Sequence, residues 1–270
     1  MMKKGFKISN LYLLFIFVLL YLPIIYLIFY SFNSGVSMNS FDGFSINHYR
    51  EVFRDTRLWV IVINTLILGL LSSLIATIIG TIGALAIYYL KNDRMRKRVL
   101  NFNSVLMVMP DVMMGASFLV LFTFLLKIPM GFMTVLLSHI AFSIPIVVLM
   151  VLPRLYALNE SMILAAEDLG ASDLTILNKI ILPNITGGVL TGFFMALTYS
   201  LDDFAVTFFV TGAGFSTLSV EIYSRVRAGI SLEINALSTL MFLVSFFLVL
   251  IYYFISEREK KLTDRRAIDE

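Results

Sequence analysis

The sequence predicts an all-α membrane protein with six transmembrane helices, and three observations indicate this. Apolar residues make up 59% of the 270 residues and charged residues 14%, against about 45–50% and about 25% in soluble domains. Apolar runs reach the length of about 20 residues that a helix needs to cross the hydrocarbon layer. Lys and Arg are concentrated between alternate runs, as in the cytoplasmic loops of membrane proteins.

The apolar runs predict six spans in one membrane domain that covers residues 1–270. The spans are residues 11–32, 59–90, 100–126, 132–152, 185–211 and 235–256. The first run is too long for a signal peptide and lacks a small-residue cleavage site, so we expect a retained helix. Pro23, Pro110 and Pro145 lie inside runs, where we expect them to allow bending.

The basic residues indicate the orientation. An N terminus inside the cell places most of the 21 Lys and Arg residues in the cytoplasm. The outside then receives Arg50, Arg54, Arg57, Lys127, Arg225 and Arg227. Because basic loops are retained in the cytoplasm during insertion, this orientation is favoured, and both termini are cytoplasmic. The net charge of +3 then reflects topology in a lipid bilayer, and no nucleic-acid partner is expected.

Several kinds of catalytic site are excluded. The sequence has no cysteine, so it forms no disulfide, thiolate nucleophile or Cys-based metal site. It also lacks the phosphate-binding loop of ATPases, the His-Glu-x-x-His zinc motif and the Gly-x-Ser-x-Gly elbow. We therefore expect no catalytic residue, no metal site and no cofactor bound by this chain.

Residues 155–183 form the longest predicted cytoplasmic stretch. Asn159 can cap a first helix, Gly170 can end it, and Ser172 can cap a second. The pattern predicts two short amphipathic helices that are hinged at a glycine. Their apolar face must be covered by the protein's own helices or by another protein.

The motifs of this stretch resemble the EAA loop of ABC importer permeases. The matching segments are Ala165-Ala166, Gly170-Ala171 and Ile180-Ile181-Leu182-Pro183. The resemblance implies the type I (MetI-like) permease fold, with a coupling helix pair between helices 4 and 5 that docks on an ATPase subunit. Leu164 stands where the family has its leading Glu. The implied coupling residues are Leu164, Ala165, Ala166, Glu167, Asp168, Gly170, Ala171, Ile180, Leu182 and Pro183.

Further segments resemble the permeases of spermidine/putrescine importers, and are most similar to their C-type subunit. They include Met109-Pro110-Asp111, Tyr199-Ser200-Leu201-Asp202-Asp203-Phe204 and Phe209-Val210-Thr211-Gly212. The resemblance implies a bacterial inner-membrane subunit that is not an enzyme, because ATP and Mg are bound by the partner ATPase. The implied partners are a homologous permease, two copies of the ATPase, an extracytoplasmic solute-binding protein and a polyamine.

Three aspartates point to a cationic substrate independently of this resemblance. Asp111, Asp202 and Asp203 lie in apolar runs that contain no Lys or Arg. A charge at the bilayer centre costs about 2.5–3.5 kcal/mol, so a cavity, a partner or a ligand must offset it. Carboxylates and aromatic faces are the groups that bind polyamines. The predicted pathway residues are Asp111, Tyr199, Ser200, Asp202, Asp203 and Phe204.

The same residues also fit structural roles. The aspartates could be protonated or hydrogen-bonded, and Asp202 could lie at the outer interface. For Gly188, Gly192 and Ala196 we favour close helix packing over pore lining. For His139 we favour packing and hydrogen bonding over a proton relay.

Three other functions stay open at this stage. A permease for another small solute would share the coupling loop, and competition between solutes would separate it. A secondary transporter or channel would need no ATPase, and inverted repeats, which are common in such proteins, are not visible here. An intramembrane enzyme is the weakest alternative, because no motif brings an acid, a base and a nucleophile together.

Overall fold

The computed structural model describes residues 8–229, 232–243 and 246–247. In these residues the backbone is helical apart from loops and one isolated β-bridge between Asn33 and Phe44. The helices in chain order are α1 Ile8–Tyr30, α2 Asn47–Arg54, α3 Thr56–Tyr89, α4 Asp93–Val108, α5 Asp111–Val120, α6 Phe132–Tyr156, α7 Glu160–Asp168, α8 Asp173–Ile176, α9 Leu182–Asp202, α10 Ala205–Val210, α11 Leu218–Ala228 and α12 Leu232–Leu243. A π turn, Leu121–Leu125, follows α5, and another, Leu177–Ile181, joins α8 to α9.

Four described helices are long and apolar enough to cross a membrane. They are Leu11–Tyr30, Thr56–Tyr89, Phe132–Tyr156 and Asp173–Asp202. Helices α4 and α5 form a fifth crossing if they are taken together, but they are bent by 104° relative to each other. The segment 100–126 is therefore two helices and not the single helix expected from the sequence.

Proline explains the bend between α4 and α5. Met109 is extended, with ψ 132°, because the ring of a following proline disfavours the helical conformation at the preceding residue. Helix α5 begins at Asp111, directly after Pro110. Pro23 and Pro145, in contrast, lie inside α1 and α6, which continue through them.

The predicted fifth span also differs from the structure. One continuous helix of 30 residues runs from Asp173 to Asp202, so the second predicted loop helix is the start of this span. The helix ends where Asp203 is extended, with ψ 125°. The chain then re-enters a short helix, α10. The expected segment 185–211 is thus interrupted at Asp203.

The predicted sixth span, residues 235–256, coincides with α12 as far as Leu243. Most of its remainder lies outside the described residues. The same holds for the terminal basic residues used to orient the chain, which are Lys3, Lys4, Lys7, Arg258, Lys260, Lys261, Arg265 and Arg266. Six spans, one domain and cytoplasmic termini stay predictions.

The chain divides into two compact units, residues 1–59 with 222–270 and residues 60–221. In the first unit, most of the described apolar side chains of α1 are exposed, as expected for a helix that faces lipid. The buried Asn33 amide donates to the carbonyls of Ser37 and Ser40 and orders the following loop. Arg225 Nη2 donates to Asp55 Oδ2 at 2.7 Å and Arg225 Nη1 donates to Glu233 Oε2 at 3.2 Å.

In the second unit, α6 packs along α9 with small residues at the contact. A Cβ atom added at Gly188 would lie 2.7 Å from Arg154 Cγ and 2.9 Å from Met150 O, and Ala196 is fully buried. This is the packing role predicted for these small residues. One apolar cluster surrounds this contact, and a second, which includes Leu68, Met114, Val135, Phe142, Val206 and Val210, holds α5, α6 and α10 together. The second cluster positions both helix breaks.

Candidate functional site

A cavity of about 260 Å³ lies where the two broken helices meet. Its lining residues are Asp111, Tyr199, Asp202, Asp203, Phe204 and Ala205. Three of the six are carboxylates, and none is basic. Interrupted helices at membrane depth are tolerated where they line a cavity, so this arrangement is expected of a transport path.

Asp111 stands in the first turn of α5. The positive end of a helix dipole favours a negative charge at that position. Tyr199 Oη, from α9, donates a hydrogen bond to Asp111 Oδ1 at 2.9 Å. The Tyr199 ring also packs edge-on against Phe142, with centroids 5.0 Å apart. One acid and one aromatic face are thereby held together across two helices.

Asp203 has a different environment, because its carboxylate caps α10. Asp203 Oδ1 accepts from Val206 N at 3.2 Å. Asp203 Oδ2 accepts from Thr207 N at 2.8 Å and from Thr207 Oγ1 at 2.7 Å. The side chain is only 6% exposed. Such contacts satisfy the free N–H groups of the first helical turn and fix the start of α10.

Asp202 is exposed at the last turn of α9. Among the residues that the structure describes, no hydrogen bond or ion pair engages its carboxylate. Phe204, which follows the two acids, packs against Phe208 with ring centroids 5.4 Å apart. The cavity therefore combines two exposed acids, of which Asp111 is bound to tyrosine and Asp202 is not, with one buried acid that is occupied by a helix end.

Ser200 belongs to a buried polar network beside the cavity. His139, on α6, is fully buried. Its Nδ1 lies 2.7 Å from Ser200 Oγ, and its Nε2 lies 2.9 Å from Thr207 Oγ1 and 3.5 Å from Asp203 Oδ2. Ser200 Oγ is also 3.0 Å from Ser72 Oγ on α3. The network ties α3, α6, α9 and α10 together.

The structure thus brings five of the six predicted pathway residues to one cavity, and places Ser200 behind it. The sequence did not indicate the contacts that Thr207 and His139 make with Asp203. Asp203 and Thr207 are four residues apart, the spacing at which side chains on one helix face are neighbours, and this was the available signal. No signal in the sequence joins His139 to residues more than 60 positions away.

The coupling segment has the predicted caps. Asn159 Oδ1 accepts from Ser161 N at 3.0 Å and so caps α7. Gly170, with φ +76°, ends that helix in the left-handed region that glycine favours. Ser172 Oγ accepts from Thr175 N at 3.4 Å at the start of α8. The turn between α7 and α8 is therefore set by local sequence.

Helix α7 presents two different faces. Ile163 and Ala166 pack on the apolar cluster around α6. Leu164 is 57% exposed, and Leu169, just after the helix, is 88% exposed. Glu167, on the exposed side, borders a cavity of about 370 Å³ at the end of α3. Residues that the sequence predicted for coupling therefore form a partly apolar outer surface.

Metal binding has no visible basis in the described part of the chain. No group of three or more His, Asp or Glu residues there is close enough to hold a metal ion.

The helical fold, the acidic cavity at two helix breaks and the exposed apolar side chains of the loop 155–183 are typical of one class, the multi-pass membrane transport proteins. More narrowly, the chain belongs to the family described as binding-protein-dependent transport system inner membrane component, which matches residues 76–262. It has the all-α permease fold of this family.

Three curated relatives cover most of the chain. The spermidine/putrescine transport system permease protein PotC of Haemophilus influenzae is 36% identical over 94% of this chain and 98% of that protein. PotC of Escherichia coli K12 is 39% identical over 91% and 92%. The putrescine transport system permease protein PotI of Escherichia coli K12 is 35% identical over 83% and 82%. These relatives are transport components rather than enzymes.

Solved structures show the same fold. A chain of a bacterial ABC transporter for the import of the acidic polysaccharide alginate matches with a TM-score of 0.73 and 18% identity, over 93% of this chain and 94% of that one. A chain of the MetNI methionine ABC transporter matches with a TM-score of 0.59 and 15% identity, over 73% and 94%. At these identities the match shows the architecture alone.

Proposed function

We propose that the chain is a permease subunit of an ATP-driven importer for polyamines such as spermidine and putrescine. With a homologous permease it would form the path across the bacterial inner membrane, with both of its termini in the cytoplasm. Two copies of an ATPase would bind ATP and Mg, and an extracytoplasmic binding protein would deliver the substrate. The relatives PotC and PotI support the substrate class.

The observation that supports this proposal most is the composition of the cavity. Three carboxylates and two aromatic rings line it without a basic residue. Two of the acids, Asp111 and Asp203, lie at helix starts. A linear cation with ammonium groups separated by methylenes offers charges for Asp111 and Asp202, and apolar segments for Tyr199 and Phe204.

In this proposal the second permease completes the path beside the cavity, whose volume in this chain is about 260 Å³. Asp111, Tyr199, Ser200, Asp202, Asp203 and Phe204 are the proposed pathway residues, with Ser200 acting from behind the lining.

The exposed side of α7 supports the proposal of an external motor. Leu164 and Leu169 expose apolar surface on the loop that resembles the coupling segment of ABC permeases. Large apolar side chains that are exposed outside the predicted spans favour a protein contact. In this proposal the ATPase covers them, and its closing motion reaches the helix that begins at Asp173.

Uptake by the assembled transporter tests this function. We expect proteoliposomes that contain both permeases and the ATPase, supplied with the binding protein, to accumulate labelled spermidine only with internal ATP. Putrescine should compete, whereas methionine, a sugar and divalent metal ions should not. Equal competition by an uncharged solute would contradict the polyamine assignment. Uptake by the permeases alone, without an ATPase subunit, would contradict the motor.

A further inference from the structure

The three acids of the cavity differ in their burial and in the number of hydrogen bonds that the protein donates to their carboxylates. The Asp203 carboxylate accepts three hydrogen bonds from the first turn of α10, and its side chain is almost fully buried. Asp202 and Asp111 are exposed residues of the cavity lining. A carboxylate has about four acceptor positions, so Asp203 has little capacity left for a ligand.

The hydrogen atoms of the buried network can be assigned by counting donors. The Thr207 hydroxyl has one proton, and it donates this proton to Asp203 Oδ2. The contact of 2.9 Å between Thr207 Oγ1 and His139 Nε2 then requires the proton on Nε2. His139 Nε2 therefore donates to Thr207 and faces Asp203 Oδ2 at 3.5 Å. The imidazole orients the hydroxyl that holds the carboxylate.

The second ring nitrogen extends this support to α9. His139 Nδ1 contacts Ser200 Oγ at 2.7 Å, three residues before Asp203, and Ser200 also contacts Ser72 of α3. On the far side of the break, Ser219 Oγ donates to Asp203 O at 2.6 Å. Both the end of α9 and the start of α10 are thus fixed by buried polar groups.

We propose that His139 and Asp203 are positioning residues that fix the break between α9 and α10, whereas Asp111 and Asp202 bind the ammonium groups of the transported cation. This rests on the proposed function, and it separates Asp203 from the other predicted pathway acids. His139 and Asp203 act on transport through the geometry of the break, because the break sets where Asp202 and Phe204 lie in the cavity.

The two roles respond differently to removal of charge alone. Asn caps a helix about as well as Asp, so Asp203→Asn keeps one acceptor oxygen for Thr207 at the start of α10, and loses only the acceptor that faces Val206 N. Asn at position 202 keeps the size of the side chain but loses the charge that attracts an ammonium group. A positioning acid therefore tolerates Asn, and a substrate-binding acid does not.

His139 has a parallel pair of variants. Gln offers one donor and one acceptor, like neutral imidazole, so His139→Gln can replace both contacts. His139→Leu fills similar space without a polar atom, and leaves the Thr207 and Ser200 hydroxyls without this partner. Rescue by Gln but not by Leu would show that the hydrogen bonds of His139 matter, and not its volume.

The test measures labelled spermidine uptake by the complete transporter in proteoliposomes, with assembly followed by size-exclusion chromatography. We expect Asp203→Asn and His139→Gln to keep at least about half of the maximal rate. His139→Leu and Asp203→Ala should lower that rate roughly tenfold, with half-saturation changed less than about twofold. Asp202→Asn should instead raise the half-saturating concentration roughly tenfold or more.

The double variant His139→Leu with Asp203→Ala should be no worse than the poorer single variant, because both disturb one network. A loss in Asp203→Asn equal to that in Asp202→Asn would overturn the proposal, as would equal losses in His139→Gln and His139→Leu. If one of the other variants does not assemble, uptake by Asp203→Asn still decides whether Asp203 is a positioning or a substrate-binding residue. Absence of spermidine uptake by the unaltered complex would instead refute the proposed function.

Discussion

The acidic cavity and the predicted coupling loop, residues 155–183, each carry side chains of a kind that their surroundings disfavour. In the cavity, carboxylates lie among apolar helices, where a charge is costly. On the loop, Leu164 and Leu169 are exposed outside the predicted spans, where apolar surface is costly. In the proposed function each region is completed by a partner of complementary chemistry, a cation for the first and an apolar protein surface for the second. The comparison predicts that variants in one region leave the function of the other unchanged.

The largest effect is expected from removing both accessible charges of the cavity. Asp111→Asn combined with Asp202→Asn should lower spermidine uptake about 100-fold or more, because neither ammonium group finds a carboxylate. ATPase binding should remain normal in a pull-down. As a control, Asp93→Asn removes an acid that is 79% exposed and paired with Arg96, and it should transport normally. A similar loss in this control would show that the effect is not specific to the cavity.

The coupling surface should respond next. Leu169→Asp places a charge where apolar contact is expected, and should weaken binding of the ATPase subunit roughly tenfold. Val36, in the loop after α1, is 89% exposed, and Val36→Asp should leave that binding unchanged. The measurement is co-purification of the ATPase at graded concentrations. Unchanged binding in Leu169→Asp would remove this residue from the contact.

Helix α9 connects the two regions, and its packing can be tested with adjacent glycines. Gly188→Ala should lower the free energy of unfolding by about 1–3 kcal/mol, because its Cβ would approach Arg154 Cγ and Met150 O closely. Gly187 has no neighbour within 4 Å of an added Cβ, so Gly187→Ala should be neutral or stabilising. Thermal unfolding in detergent measures both. Equal destabilisation by the two variants would contradict the close contact of α6 with α9.

The smallest effect is expected from removing the charge of Asp55, because this acid is paired with a basic residue of the same chain. The Arg225 guanidinium holds the pKa of Asp55 below its ordinary value. Such a pair contributes its full stabilisation at pH values above the pKa of the carboxyl in the unfolded chain, about 3.9. The stabilisation is lost as the pH falls through the lower pKa that Asp55 has in the folded protein.

Asp55→Asn should therefore lower the free energy of unfolding at neutral pH by roughly 0.2–1 kcal/mol. The difference from the unaltered protein should shrink as the pH falls below about 4. Spermidine uptake should stay normal, unlike that of the cavity variants. Thermal unfolding at a series of pH values tests this, and a difference that grows in acid would contradict the assigned pair.

The sequence predicted features that depend on neighbours along the chain. Asn159, Gly170 and Ser172 mark helix ends in the structure as predicted, because caps depend on a few adjacent residues. The bend at Pro110 was indicated by proline, but its angle of 104° depends on packing. The contact of His139 with Asp203 joins distant positions, and only the fold brings them together. For this reason the sequence grouped Asp203 with Asp111 and Asp202.

The helix from Asp173 to Asp202 has a mechanical consequence. Its 30 residues extend over about 45 Å, at about 1.5 Å per residue. The turn beside α7 lies at one end, and Asp202 of the cavity lies at the other. If this helix moves as a rigid rod, a tilt of about 10° about one end displaces the other by about 8 Å. In the proposed function, a modest rotation at the loop is thus enough to shift Asp202 by more than the length of a hydrogen bond to an ammonium group.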